Sequence, residues 1–380
     1  MANAHIKKMF PGAVTAEGFY SFYHYMIQQD ANHIFVLKGG PGVGKSSFMK
    51  KIAQAMLDRG YDLEYHCCSS DNGSIDGIVI PELKIGLLDG TAPHVVDPKN
   101  PGAVDEIINL GEYWNEDILK KSRKEITTYS SKASSYYPRA YFALKEAKNA
   151  LDEWRYYTSQ YQDWNQINQM TLKVQREIFR MTPKEHGKER HLFAWGHTPQ
   201  GKTQFIDTLL NKTETLYILK GQPGAGKSTF LSRIAERAAM YGLDIEYYHN
   251  TLDPEHLDLI ILPDLRIALV IDCEPYVYKP NFNGEIINLD FEKSLNQSQL
   301  MENCGDEIKD CQVRVNQHIA RALKHSASAK ATHDLLEGYY VPAMDFSGVE
   351  NKLKSVLETI ISYASEEAVA VVNSQQTSKL

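Results

Sequence analysis

Apolar positions along the chain fall into short runs divided by glycine-rich or polar punctuation, and one series of runs occurs twice. Ile34–Leu37 is apolar, β-branched and aromatic, which predicts a buried strand. A glycine-rich stretch follows. Phe48, Ile52, Ala55 and Met56 then share one face of a predicted helix, which Gly60 ends. Leu63–Cys67 predicts a second strand and Leu83–Leu88 a third, closing on Asp89. In the second series Leu216–Leu219 precedes another glycine-rich stretch, Phe230, Ile234 and Ala238 mark the helix, and Gly242 ends it. Ile245–Tyr248 and Leu265–Ile271 complete it, the last closing on Asp272. Strand–loop–helix–strand–loop–strand with apolar strands predicts a parallel sheet covered on both faces. Residues 113–180 and Phe291–Val372 read as helical tails, with Pro138 at a helix start.

The repetition is nearly gap-free at an offset of 182 residues: Leu37–Ser47 lies over Leu219–Thr229, Asp71 over Asp253, Asp76 over Asp258 and Pro81 over Pro263. Upstream, Thr15, Gly18 and Phe22 match Thr198, Gly201 and Phe205, and downstream Lys148, Asp152 and Tyr157 echo in Lys330, Asp334 and Tyr339. An internal duplication of about half the chain is the economical account. The polar stretch between Met181 and Arg190 predicts a linker. The expected domains are therefore residues 1–182, with a helical insert at 113–180, and residues 190–380, with a helical tail at 291–372.

Both glycine-rich stretches satisfy G-x-x-x-x-G-K-[ST]: Gly39, Gly40, Pro41, Gly42, Val43, Gly44, Lys45, Ser46 and then Ser47; Gly221, Gln222, Pro223, Gly224, Ala225, Gly226, Lys227, Ser228 and then Thr229. Glycines let successive backbone N–H groups turn inward around phosphate oxygens, and the following helix contributes its positive end. Lys45 and Lys227 are expected on the outer phosphates, and Ser46 and Ser228 on Mg²⁺. Each match follows a predicted strand and opens a helix, the context this chemistry requires. The expected fold class is α/β: two tandem P-loop NTPase domains, each with an appended helical hairpin. ATP and Mg²⁺ are the expected ligands.

An acid at the end of a buried strand holds Mg²⁺ in such sites. Asp89 and Asp272 are the candidates, although their distances from Lys45 and Lys227 differ by one residue. Asp71 and Asp253 have two readings: an acid that orients or deprotonates an acceptor hydroxyl, or a helix N-cap, with Pro254 at the first helical position. Asp76 and Asp258 are similarly ambiguous. His94 is a candidate phosphate or substrate contact, matched by Tyr276 in the second repeat.

Composition narrows the partners. A formal charge of −7 does not suggest a coat for nucleic acid or an anionic membrane. Segment 113–180 is basic and rich in aromatics, including Tyr136, Trp154 and Trp164; single-strand stacking is a weaker reading than a packed hairpin. The two helical tails carry opposite net charges, +4 and −3, so they are expected to pack together. The run Leu257–Cys273 is interrupted by Pro263, Asp264 and Arg266 and is not expected to span a bilayer. Met1–Phe10 lacks a leader-like apolar core, and five cysteines do not form a disulfide pattern. Cytoplasm is the expected location.

The phrases from Ile80 to His94 and from Asp105 to Leu110, with the paired loops, resemble a bacterial family of tandem P-loop proteins labelled ATPase or nucleotide kinase without an assigned substrate. The resemblance implies a P-loop NTPase fold and ATP at both loops, with no reaction attached. The leading expectation is ATP hydrolysis using a cation supplied across the repeats, with Arg123, Arg139, Arg155, Arg314 and Arg321 available. The alternatives are a nucleotide or small-molecule kinase and a nucleotide-dependent switch that binds a protein partner.

Overall fold

The computed structural model describes residues 4–28, 30–91 and 95–377, the last of these as backbone alone over 366–377. The first repeat runs β1 (Ile6–Met9), β2 (Gly12–Thr15), β3 (Gly18–Ser21), β4 (His33–Lys38), α1 (Lys45–Leu57), β5 (Leu63–Cys67), β6 (Ile75–Ile80), β7 (Ile85–Asp89) and β8 (Asp105–Asn109). Four helices follow, α2 (Glu116–Lys121), α3 (Arg123–Ser134), α4 (Tyr136–Ser159) and α5 (Trp164–Ile178). The second repeat runs β9 (Glu189–Leu192), β10 (Trp195–Thr198), β11 (Gly201–Gln204), α6 (Ile206–Leu209), β12 (Thr215–Lys220), α7 (Lys227–Met240), β13 (Ile245–His249), β14 (Leu257–Leu262), β15 (Ile267–Asp272) and β16 (Glu285–Asp290). It ends with α8 (Gln297–Tyr340) and α9 (Phe346–Thr377). Pro138 lies in the first turn of α4, where its missing N–H costs no helical bond.

The chain divides into two compact units that do not coincide with the repeats. Unit 1 comprises Met1–Lys7, Tyr23–Ser134 and Ala329–Leu380; unit 2 comprises Lys8–Phe22 and Ser135–Ser328. This differs from the contiguous domains expected on either side of residues 182–190. The linker region lies wholly within unit 2, where Lys184 pairs with Asp264 at 2.9 Å.

Unit 1 holds a six-stranded sheet in the order β1-β5-β6-β7-β4-β8. β4 is parallel to both β7 and β8, whereas β6 is antiparallel to β5 and β7. The expected parallel sheet is thus a mixed one. β6 was not anticipated; Asp71 makes a tight turn ahead of it by accepting the Gly73 N–H at 2.9 Å, and such a turn returns the chain antiparallel. Phe48, Met49, Ile52, Ala53 and Met56 of α1 are buried. α9 packs against α1 and buries Val349, Leu353, Val356 and Ile360 in the same core. These positions recur at helical spacing, and each contributes about 1.5–3 kcal/mol of burial.

Unit 2 repeats the plan. Its sheet order is β16-β12-β15-β14-β13-β9, with β12 parallel to β15 and β16 and β14 antiparallel on both sides. The apolar run Leu257–Cys273 is therefore a β-hairpin closed by a 3₁₀ turn over Pro263–Leu265. α5 packs against α7 through Ile167, Thr171, Val174 and Ile178, each 182 residues before its α9 counterpart. α4 packs Leu144, Ala147, Leu151 and Trp154 into the same core as Ile308, Val315 and Ile319 of α8. The tails do meet here, yet the ion pairs oppose the net charges: the basic segment supplies Glu146 and Glu153, the acidic one Arg321 and Arg314.

Each sheet is thus covered by the helical segment of the other repeat. Backbone bonds mark the exchange at equivalent places. The Asp163 N–H donates to the Ser294 carbonyl, and the Asp345 N–H to that of Tyr113, both at 2.7 Å. Among the described residues no helix is long and apolar enough to cross a membrane.

Candidate functional site

Both glycine-rich loops join the C-terminal end of an inner strand, β4 or β12, to the start of a helix, α1 or α7. Gly44 and Gly226 precede α1 and α7 at φ +90° and +100°, a left-handed conformation that favours glycine. The lysines curl back over their loops. Lys45 Nζ donates to the carbonyls of Gly39 and Gly40 at 2.9 and 3.0 Å, and Lys227 Nζ to those of Gly221 and Gln222 at 2.5 and 2.7 Å. Lys227 is buried, which lowers its pKa. Ser46 Oγ accepts the Ile75 N–H at 3.1 Å.

The strand-end acids are not equivalent. Asp89 pairs in register with Leu37, but Asp272 pairs with Lys220, one step further along. Ile271 therefore occupies the position of Asp89, and side chains one residue apart face opposite sides of a strand. The Asp89 carboxylate lies 3.6 Å from Lys45 Nζ and accepts the Thr91 N–H. That of Asp272 accepts the Tyr278 N–H, while Ile271 and Cys273 line the cavity at the second loop. Asp89 thus lies beside its loop lysine, whereas Asp272 faces the other side of its strand.

In unit 2 a cavity of about 340 Å³ is lined by Gly224, Gly226, Lys227, Ser228 and Thr229. Its lining also includes Arg155 and Gln162 from the helical segment of the first repeat, together with Asn250, His256 and Asp258. α4 approaches the loop so closely that a Cβ on Gly224 would lie 2.5 Å from the Arg155 carbonyl oxygen. The Gln162 side-chain amide donates to the Gly224 carbonyl.

Asp253 is buried among nitrogen donors: Arg155 Nη1 and His256 Nδ1 each lie 2.9 Å from its Oδ2, and Lys148 Nζ 3.5 Å. Burial works to raise this carboxyl, but the hydrogen bonds and charges of His256 and Arg155 hold it well below the carboxylate range. A carboxylate so held is a poor base. No helix follows it, since 251–256 are bends and turns leading into β14, so the N-cap reading fails as well. In unit 1 Asp71 pairs with Lys330 at 3.3 Å, and Lys330 also pairs with Asp334. This copies the Lys148 contacts to Asp253 and Asp152. The downstream echo in the sequence is therefore a conserved arrangement of two ion-pair networks.

Asp76 and Asp258, ambiguous in the sequence, are both buried. Asp258 is buried and lines the unit 2 cavity; Oδ1 accepts from Asn250 at 2.9 Å, and Oδ2 has no hydrogen-bond partner. Burial pushes it up to about 6. Its counterpart Asp76 is pushed up to about 7 by burial, with the Asp89 charge adding to it against a hydrogen bond from Tyr23. Of the candidate arginines, Arg155 alone lines that cavity; Arg314 and Arg321 are paired with Glu153 and Glu146. His94 lies outside the described residues. Its second-repeat counterpart Tyr276 is buried and shares a 2.7 Å hydrogen bond with His197 Nε2. Comparison with known family models, curated proteins and solved structures returns no match to this chain.

Proposed function

We propose that the chain binds a nucleoside triphosphate with Mg²⁺ at each glycine loop and hydrolyses ATP. One observation carries the reading: in unit 2 the loop, Lys227, Ser228, Thr229 and Arg155 line a single cavity. Loop N–H groups and the helix start bind phosphate oxygens, and the lysine and arginine offset the charge that develops on the transferring group.

The donor sets fit Mg²⁺. Ser46 and Asp89 would hold it in unit 1, and Ser228 with the unpartnered Asp258 Oδ2 in unit 2. When bound, the ion draws charge from the phosphate oxygens. A second reading, transfer to an acceptor hydroxyl, gives Asp258 Oδ2 to the acceptor instead of the ion: it is a buried carboxyl oxygen without a hydrogen-bond partner in the cavity beside the loop, placed for a general base.

The test is Mg²⁺-dependent phosphate release and nucleotide binding by the wild type, Lys45→Ala, Lys227→Ala and the double variant, with and without a pool of nucleosides and metabolites. Loss of binding at each altered loop with Mg²⁺-dependent release by the wild type supports the hydrolase. Release stimulated sharply by one acceptor favours the kinase. Unaltered ATP binding in all variants refutes both.

A further inference from the structure

The two loops are approached by equivalent helical residues that carry opposite charge. Residue 155 in α4 and residue 337 in α8 are 182 apart, and each brings its carbonyl to the middle glycine of a loop. The distances to a Cβ built there are 2.5 Å from Arg155 O at Gly224 and 3.3 Å from Glu337 O at Gly42. The residue at this shared backbone position is an arginine in unit 2, whose side chain lines the cavity, and a glutamate in unit 1, whose carboxylate lies 3.7 Å from His333. The strand-end acid is distributed the other way, with Asp89 beside Lys45 in unit 1 and Ile271 in unit 2.

We propose that the sites divide the work: unit 2 is the site of turnover, with Arg155 as its catalytic cation, and unit 1 retains its nucleotide with little hydrolysis. This rests on the reading of the loops as nucleoside triphosphate sites. In unit 2 water attacks the terminal phosphorus and the bond to the bridging oxygen breaks. The diphosphate leaves, and the water's proton passes to the released phosphates. Arg155 is positioned to stabilise the charge spread over the transferring oxygens, and its ion pairs with Asp152 and Asp253 hold the guanidinium at the cavity wall beforehand. Unit 1 has Lys45 and Asp89 to hold nucleotide and metal but no arginine at the equivalent position, so the nucleotide binds there without the cation that turnover needs.

The experiment uses the full chain, with single-turnover phosphate release from Mg·ATP and the stoichiometry and affinity of a non-hydrolysable ATP analogue. Arg155→Ala is expected to slow release on the order of 10³-fold while both analogue sites persist. Added guanidinium ion is expected to restore part of the rate, which repair of a merely structural defect would not do. Arg155→Lys, which keeps a cation beside Asp253, is the folding control and is expected to remain slow, because a point charge does not replace the planar fork. Lys227→Ala is expected to abolish release while one analogue still binds. Unchanged release in Arg155→Ala, or release that depends on Lys45 and not Lys227, overturns the division of labour. Failure of the wild type to bind the analogue would instead overturn the nucleotide reading beneath it.

Discussion

Ile360→Ala tests the exchange of helical segments directly. Ile360 is fully buried in the core that contains Leu37, Phe48 and Ile52, so truncation removes transfer energy and leaves a cavity. Buried isoleucine-to-alanine changes of this kind cost about 2–5 kcal/mol. A loss of about 3 kcal/mol lowers protection by about 10²-fold wherever exchange proceeds through opening of that unit. Hydrogen exchange read by mass spectrometry locates the loss. Faster exchange is expected in β4 and α1, residues 33–57, although the substitution lies in the second repeat. Ile178→Ala, at the equivalent place in α5, is expected to loosen β12 and α7, residues 215–240, from the first repeat. If each substitution instead loosens the sheet of its own repeat, the units are contiguous and the packing described above is wrong.

Asp76 links stability to pH. Its folded pKa of about 7 lies above its ordinary 3.8, so the native state binds more protons and stability falls as pH rises toward and through 7. Between about pH 5 and about pH 8.5 the loss from this group is about 3 kcal/mol; in EDTA, Asp76→Asn should remove that much of the denaturant-midpoint drop, and an unchanged pH profile would refute it. Gly224→Ala places a Cβ against the Arg155 carbonyl at φ +86°. It is expected to abolish analogue binding in unit 2 while unit 1 still binds one equivalent, and two retained sites in a titration would count against the tight approach of α4.

Much of each sheet was legible because its strands are continuous apolar runs and its glycines mark both loops and helix ends. Asp71 and the glycine after it carried a turn signal for β6, but the short run Ile75–Ile80 contains Asp76 and Gly77 and lacks clean strand periodicity. The partner of each helical segment was not legible, for a specific reason. Ile167, Val174 and Ile178 match Val349, Val356 and Ile360 in spacing and apolar character, so either stripe satisfies either sheet in a one-dimensional pattern. Asp272 misled because a one-residue difference in spacing looks minor in sequence, whereas in a strand it reverses the face. Arg155 stood among several arginines in the helical segments, and only the fold brings it to a loop.

The division of the chain also fixes an order of assembly. Unit 2 draws its last residues from before Ala329, whereas unit 1 needs the stretch from Ala329 onward. On a translating ribosome the unit built around the second repeat's sheet is complete first, reversing the usual N-to-C sequence. The first sheet and α1 emerge early and then lack the apolar stripe of α9 while more than two hundred further residues are made. At about 5–20 residues per second that interval is about 10–50 s. The nascent first sheet is therefore without its covering helix for that interval, and slow codons between Ala329 and Phe346 would prolong its exposure.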